Sequence, residues 1–166
     1  MSIKRKSFFY LIVLVLIILV WNTGIAGTIK DLVKRETVSY QYIKPQLKDF
    51  EIVNVIDANF NNGKLSAEGQ NNDPSMILNF PGTQIFINKV SFIIKAEHST
   101  VSQLFFQTIE DNGFNEIHSI RVPIKEGENN LNIKLPLKYA ITPIQAIRID
   151  PVEDNQKFTL SNVVIN

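Results

Sequence analysis

Cysteine is absent from the 166 residues, which removes disulfides, thiolate metal sites and cysteine nucleophiles at once. Histidine occurs only as His98 and His118, at a spacing that matches no metal-ligand motif. Ser99 and Ser119 adjoin them in sequence, but no Gly-x-Ser-x-Gly elbow accompanies them and nothing marks a triad. A Gly-rich loop able to cradle phosphate is missing as well. Glycosidases need two facing carboxylates about 5 to 10 Å apart, and the 16 acidic residues here are too scattered for the sequence to single out a pair. The inventory therefore points away from catalysis. It also points away from nucleic acid: without Lys4, Arg5 and Lys6, 14 basic residues face 16 acidic ones, a formal charge of −2 with no basic cluster. No Asn-x-Ser/Thr sequon occurs although asparagine is abundant, and the only tryptophan, Trp21, lies in an apolar run.

That run is the strongest single signal present. Lys4-Arg5-Lys6 precedes unbroken apolar sequence from Phe8 to Trp21, and no charge appears between Lys6 and Lys30. A basic flank before a Leu/Ile/Val-rich stretch is an export signal, because Lys or Arg at the centre of a membrane helix costs about 3 kcal/mol. Two fates fit. Gly24-Ile25-Ala26 before Gly27 offers small residues to a signal peptidase. The charge-free stretch Ser7 to Ile29, with Tyr10 and Trp21 as interfacial aromatics, is long enough to cross a ~30 Å hydrocarbon layer as a retained helix. We read residues 1–27 as a cytoplasmic basic tip and a single-pass signal anchor, with the C-terminal part outside the cell membrane. Residues 28–49 read as a stalk, with Ile29, Leu32 and Val33 at helical spacing and Pro45 as an interruption.

From Phe50 the period changes to two. Val90, Phe92, Ile94 and Ala96 alternate with Lys89, Ser91 and Lys95, as do Leu131, Ile133 and Leu135 with Asn132 and Lys134. Ile147 and Ile149 face opposite to Arg148 and Asp150. Phe158 and Leu160 keep one phase and Val163 and Ile165 the other, which predicts a bulge or bend near Asn162. Turn signals such as Asn61-Asn62-Gly63, Pro81-Gly82 and Asp111-Asn112-Gly113 separate the runs. About nine short strands are expected, the first over 51–57, a long one over 85–97 and another over 116–124. An all-β, jelly-roll-like antiparallel sandwich over residues 50–166 follows. Lacking disulfides, it must rest on its core.

The order of these motifs resembles the galactose-binding-like and carbohydrate-binding-module-like sandwiches of bacterial membrane-anchored surface and polysaccharide-assembly proteins. The residues that carry the resemblance are Asn72-Asp73-Pro74 leading into Met76–Phe80, then Gln103–Gln107 and Glu128–Pro136. Ile147-Arg148-Ile149-Asp150-Pro151 and Phe158–Ile165 complete it. It implies a domain that binds glycan, or that docks on a membrane glycosyltransferase or transporter, beside machinery for envelope polysaccharide.

A sugar site combines an aromatic that packs on the C–H face of a pyranose with planar polar groups that read hydroxyls. Candidate platforms are Tyr139, Phe105 and Phe114. Phe105 and Phe106 are adjacent on a strand, so one faces outward beside Gln103 and Gln107. Arg148 and Asp150 share a face and form either a sugar-reading pair or a local ion pair. The candidate ligand-binding set is therefore Gln103, Phe105, Gln107, Tyr139, Arg148 and Asp150. No cofactor is expected. Asp73 and Glu153-Asp154-Asn155 offer loop oxygens to a structural calcium, without the regular Asp-x-Asp loop that calcium favours.

Overall fold

The computed structural model describes Gly27 and residues 40–166, apart from 72, 83, 84 and 112. The expected membrane anchor and the stalk as far as residue 39 lie outside the described residues. Among the described residues, no helix is long and apolar enough to cross a membrane.

Alternating apolar and polar residues give ten strands. They are β1 (Glu51–Val53), β2 (Val55–Asn61), β3 (Lys64–Gly69), β4 (Ser75–Asn79), β5 (Lys89–Ala96), β6 (Thr100–Thr108), β7 (Ser119–Ile124), β8 (Gly127–Lys134), β9 (Ile144–Asp150) and β10 (Lys157–Ile165). Two five-stranded antiparallel sheets result, in the orders β1-β4-β9-β6-β7 and β2-β3-β10-β5-β8. The all-β two-sheet sandwich is thus as the periodicity implied.

The strand count is ten where about nine were expected, and one residue accounts for the difference. Asn54 adopts a left-handed φ of 55°, which breaks the predicted strand 51–57 and sends its halves into different sheets. Asparagine tolerates that conformation better than most residues. The long strand expected over 85–97 is shorter, because Ile85 makes only an isolated bridge to Ile144. Glu116–His118 form a 3-10 turn rather than the start of a strand. Between β2 and β3, Asn62 and Gly63 at φ 50° and 72° make the two-residue turn that suits a right-twisted hairpin.

The core lies between the sheets. Met76 and Leu78 of β4, Leu104 and Phe106 of β6, and Ile147 and Ile149 of β9 meet Leu65 of β3, Val90, Phe92 and Ile94 of β5, and Phe158 and Leu160 of β10. Within β10 the register to β5 shifts between Ser161 and Val164, and Asn162 takes φ 53°. That extra residue changes the phase, so Val163 and Ile165 are buried along with Phe158 and Leu160.

The segment just before β1, read from sequence as the end of the stalk, also packs on the sandwich. Ile43 bridges Ile165, and Leu47 and Phe50 join the core. All ten strands and this core fall within the unit Ser39–Asn166.

Candidate functional site

The outward face of the first sheet is built around its two inner strands, β6 and β9. Their register pairs Gln103 with Asp150, Phe105 with Arg148 and Gln107 with Ala146. Because side chains alternate, burying Leu104, Phe106, Ile147 and Ile149 in the core turns these six residues outward. The Arg148 guanidinium lies over the Phe105 ring, 5.1 Å from its centroid, in a cation–π contact.

Loops raise walls around this floor. Phe114, Asn115 and Glu116 come from the β6–β7 connection, Val152 and Glu153 follow β9, and Asp73 precedes β4. Together with Gln103, Phe105, Arg148 and Asp150 they enclose a cleft of about 330 Å³. Each wall is tied down. The Asn54 side-chain amide donates to the Asp73 carbonyl at 3.0 Å. The loop after β9 is held by the His98 N–H donating to Gln156 Oε1 at 3.0 Å and the Gln156 amide donating to Asp154 Oδ1 at 2.5 Å. At the base of the β6–β7 connection, His118 Nδ1 and Asp111 Oδ2 lie 2.8 Å apart, and the Thr108 N–H donates to the same oxygen at 2.7 Å. The His118 ring stacks on Phe106, so this clamp is rooted in the core.

Inside the cleft the polar groups form two hydrogen-bonded clusters, one around Arg148 and one around Gln103. Arg148 donates through Nε to Asp150 Oδ1 at 2.6 Å and through Nη2 to Asp150 Oδ2 at 2.9 Å, a two-pronged geometry suited to a carboxylate. Nη2 also contacts Asp73. Gln103 donates to Glu116 at 2.7 Å and to Ser119 at 2.8 Å, and it accepts from Arg121, which in turn pairs with Glu153. Burial pushes the Asp150 carboxyl up to about 6, with the nearby Asp73 and Glu116 charges adding to the rise and Arg148 opposing it. Burial disfavours the Arg148 charge, yet Asp150 and Asp73 more than offset it and hold Arg148 above its ordinary value. Around Asp111, burial acts to raise the carboxyl, but Thr108 and His118 outweigh it and the net shift is downward.

Four of the six sequence candidates, Gln103, Phe105, Arg148 and Asp150, line this cleft. Of the two readings of Arg148 and Asp150, the local ion pair is formed, and it lies in the cleft lining. Phe105 is the outward member of the Phe105–Phe106 pair, but at 6% exposure it is a floor rather than an open platform. Phe114 is half-buried against it with ring centroids 6.4 Å apart, and supplies the more open ring. Gln107 lines a separate hollow with Pro81, Gly82 and Ile109. Tyr139 packs on Phe106 and His118 at 4.8 and 4.7 Å, outside the cleft. Asp73, Glu116 and Glu153 were missing from the candidate ligand-binding set; Asp73-Pro74 was visible as a turn and Glu153-Asp154-Asn155 as loop oxygens, but no local pattern marks Glu116.

Among the described residues, no group of three or more histidines or carboxylates is placed to hold a metal ion. The oxygens considered for calcium are engaged elsewhere: Asp73 contacts Arg148, and Asp154 contacts His98 and Gln156.

No family profile matches the chain, and no curated protein matches it in sequence. Solved structures do match in shape. An agarase, AgWH50C, superposes with a TM-score of 0.58 at 14% identity over 75% of this chain, which spans 24% of the agarase chain. A family 29 carbohydrate-binding module superposes with a TM-score of 0.51 at 12% identity, covering 77% of this chain and 89% of the module. This chain has the fold of a carbohydrate-binding module. A variant of such a module solved with cellulohexaose gives the same TM-score, 0.51, at 12% identity over 75% of this chain and 89% of its own. The resemblance read from the strand motifs is thereby supported at the level of fold.

Proposed function

We propose that the cleft on the first sheet binds glycan, and that the chain is a membrane-tethered, extracytoplasmic carbohydrate-binding module accessory to bacterial envelope polysaccharide synthesis or export. Its mechanism is equilibrium recognition without chemistry. The observation that carries this reading is the Arg148 guanidinium held over Phe105 in a cleft that also contains Phe114 and Gln103. A pyranose meets such a surface with its C–H face on the Phe114 ring and its hydroxyls on the guanidinium, amide and carboxylates. Pairing with Asp73 and Asp150 presets the guanidinium, so little side-chain freedom is lost when ligand enters. The shared fold lends support. In the family 29 module, variants replacing an arginine and, two positions on, an aspartate were solved to probe ligand recognition, and Arg148 and Asp150 have that spacing here. The tether rests on the basic flank and the apolar run Phe8–Trp21.

Affinity electrophoresis of residues 39–166 through gels containing glucomannan, hydroxyethyl cellulose, glycol chitin, glycol chitosan or polygalacturonate tests the binding claim. At least one gel is expected to retard the domain, and Arg148→Ala to abolish that retardation. Free migration through every gel overturns the reading. For the tether, the full chain is expected in the carbonate-resistant membrane fraction at its intact mass, whereas cleavage after Ala26 contradicts it.

A further inference from the structure

We infer that the glycan taken by this cleft carries protonated amines, as in a polymer with unacetylated hexosamine units, and that polyuronates and phosphorylated glycans are refused. The inference rests on the glycan-binding reading of the same cleft. It concerns charge, which that reading leaves open.

The cleft-lining residues include four carboxylates, Asp73, Glu116, Asp150 and Glu153, and one cation, Arg148. Arg121, just outside, pairs with Glu153. Counting both arginines, the two clusters carry two negative charges in excess when all four carboxylates are ionised. Both arginines already have carboxylate partners: Arg148 pairs with Asp150 and Asp73, and Arg121 pairs with Glu153 and donates to Gln103. A uronate or phosphate reaching the Arg148 guanidinium would sit beside Asp73 and Asp150, and like charges brought together in a partly desolvated cleft are strongly penalised.

Glu116 carries one of the two excess charges, and Asp73 and Asp150 share the other around Arg148. Its carboxylate meets neutral donors, the Gln103 amide at 2.7 Å and the Ser119 hydroxyl at 3.4 Å, and it has no ion-pair partner among the described residues. Its charge also reaches Asp150, where it adds to the upward push on that carboxyl. Phe114 stands two residues away in the same wall. A carboxylate beside an aromatic ring is a pairing that recognises an ammonium group, through an ion pair on one side and the ring quadrupole on the other. An amine entering here meets Glu116 and relieves the crowding of carboxylates, and an N-acetyl group in its place does neither.

Glycol chitosan and glycol chitin share a backbone and differ in the free amine, so they form the decisive pair, with polygalacturonate as the anionic probe. Affinity electrophoresis of residues 39–166 at about pH 6 is expected to give roughly fivefold tighter retention by glycol chitosan than by glycol chitin, the factor expected of a partly exposed ion pair worth up to ~1 kcal/mol. Polygalacturonate is expected to give none. Glu116→Gln should reduce the chitosan-to-chitin ratio towards one. Glu128→Gln changes net charge equally on the exposed face of β8, in the other sheet, and should leave the ratio unchanged. Equal retention by chitin and chitosan, retention by polygalacturonate, or the same response from both variants overturns the inference while leaving the glycan-binding reading intact. Absence of retention by any polymer, neutral ones included, overturns both.

Discussion

Replacing Asp150 by asparagine removes a buried carboxyl whose titration is coupled to folding. Asp150 is 7% exposed, and its ionisation in the folded chain is pushed up to about 6 from an ordinary 3.8. Between these values the folded state binds more protons than the unfolded one, so this group makes stability rise as pH falls from 6 towards 4. A displacement of about two units corresponds to about 3 kcal/mol, fully expressed as a penalty above pH 6 and absent well below pH 4. Between about pH 7 and 4.5 roughly 2 kcal/mol of that is recovered. Asp111, whose carboxyl is shifted downward, acts with the opposite sign and at lower pH, and is common to both proteins. Urea unfolding of residues 39–166 and of Asp150→Asn across this range should therefore give a stability difference that shifts by about 2 kcal/mol in favour of the parent as pH falls. A constant offset, of about 1 to 3 kcal/mol, is expected on top because Arg148 loses its charged partner. A difference that stays flat to within about 0.5 kcal/mol, or that moves the other way, refutes the rise assigned to the Asp150 carboxyl by its burial and, secondarily, by its carboxylate neighbours.

Phe114→Ala is expected to weaken glycan retention at least about tenfold with little change in melting temperature, since this ring is half-buried in a loop. Phe105→Ala should lose both binding and about 3 kcal/mol of stability in urea unfolding, because it empties the floor beneath Arg148. At Gly69 an added Cβ would lie 2.6 Å from the Asp154 carbonyl and 3.0 Å from Pro74, so Gly69→Ala should cost about 1 to 3 kcal/mol by the same assay. Calcium or a chelator should leave the melting temperature unchanged, since Asp73 and Asp154 already have protein partners; a calcium-dependent rise of several degrees would contradict this.

Period-two alternation was sufficient to locate most strands, to put Arg148 and Asp150 on one face of their strand, and to put Gln103, Phe105 and Gln107 on one face of theirs. It also revealed the bend at Asn162, because a change of phase is a local property of the sequence. The break at Asn54 was not legible. Val53 and Val55 flank it within a run that alternates acceptably as one strand, and nothing local states that one backbone angle will divide it between two sheets. The cleft walls were hidden for a different reason. Asp73, the Phe114–Glu116 segment and Glu153 lie far apart in the chain and meet only because β4, β9 and β6 are neighbours in the order β1-β4-β9-β6-β7. Strand order is set by which faces the whole chain buries, and no spacing encodes it. Tyr139 illustrates the converse. Its Lys138-Tyr139-Ala140 context reads as an open turn, but Leu137–Ala140 form one helical turn, which we term α1, and this lays the ring on Phe106.

The central claim, that the outward face of β6 and β9 is a glycan cleft, is tested most directly by nuclear magnetic resonance. Nitrogen-15-labelled residues 39–166 would be titrated with an oligosaccharide of whichever polymer retards the domain in gels. The account predicts shift changes concentrated at Gln103, Phe105, Phe114, Glu116, Asp150 and the Arg148 Nε–H. Changes centred instead on the opposite sheet, around Ser66, Lys95 and Thr159, would contradict it.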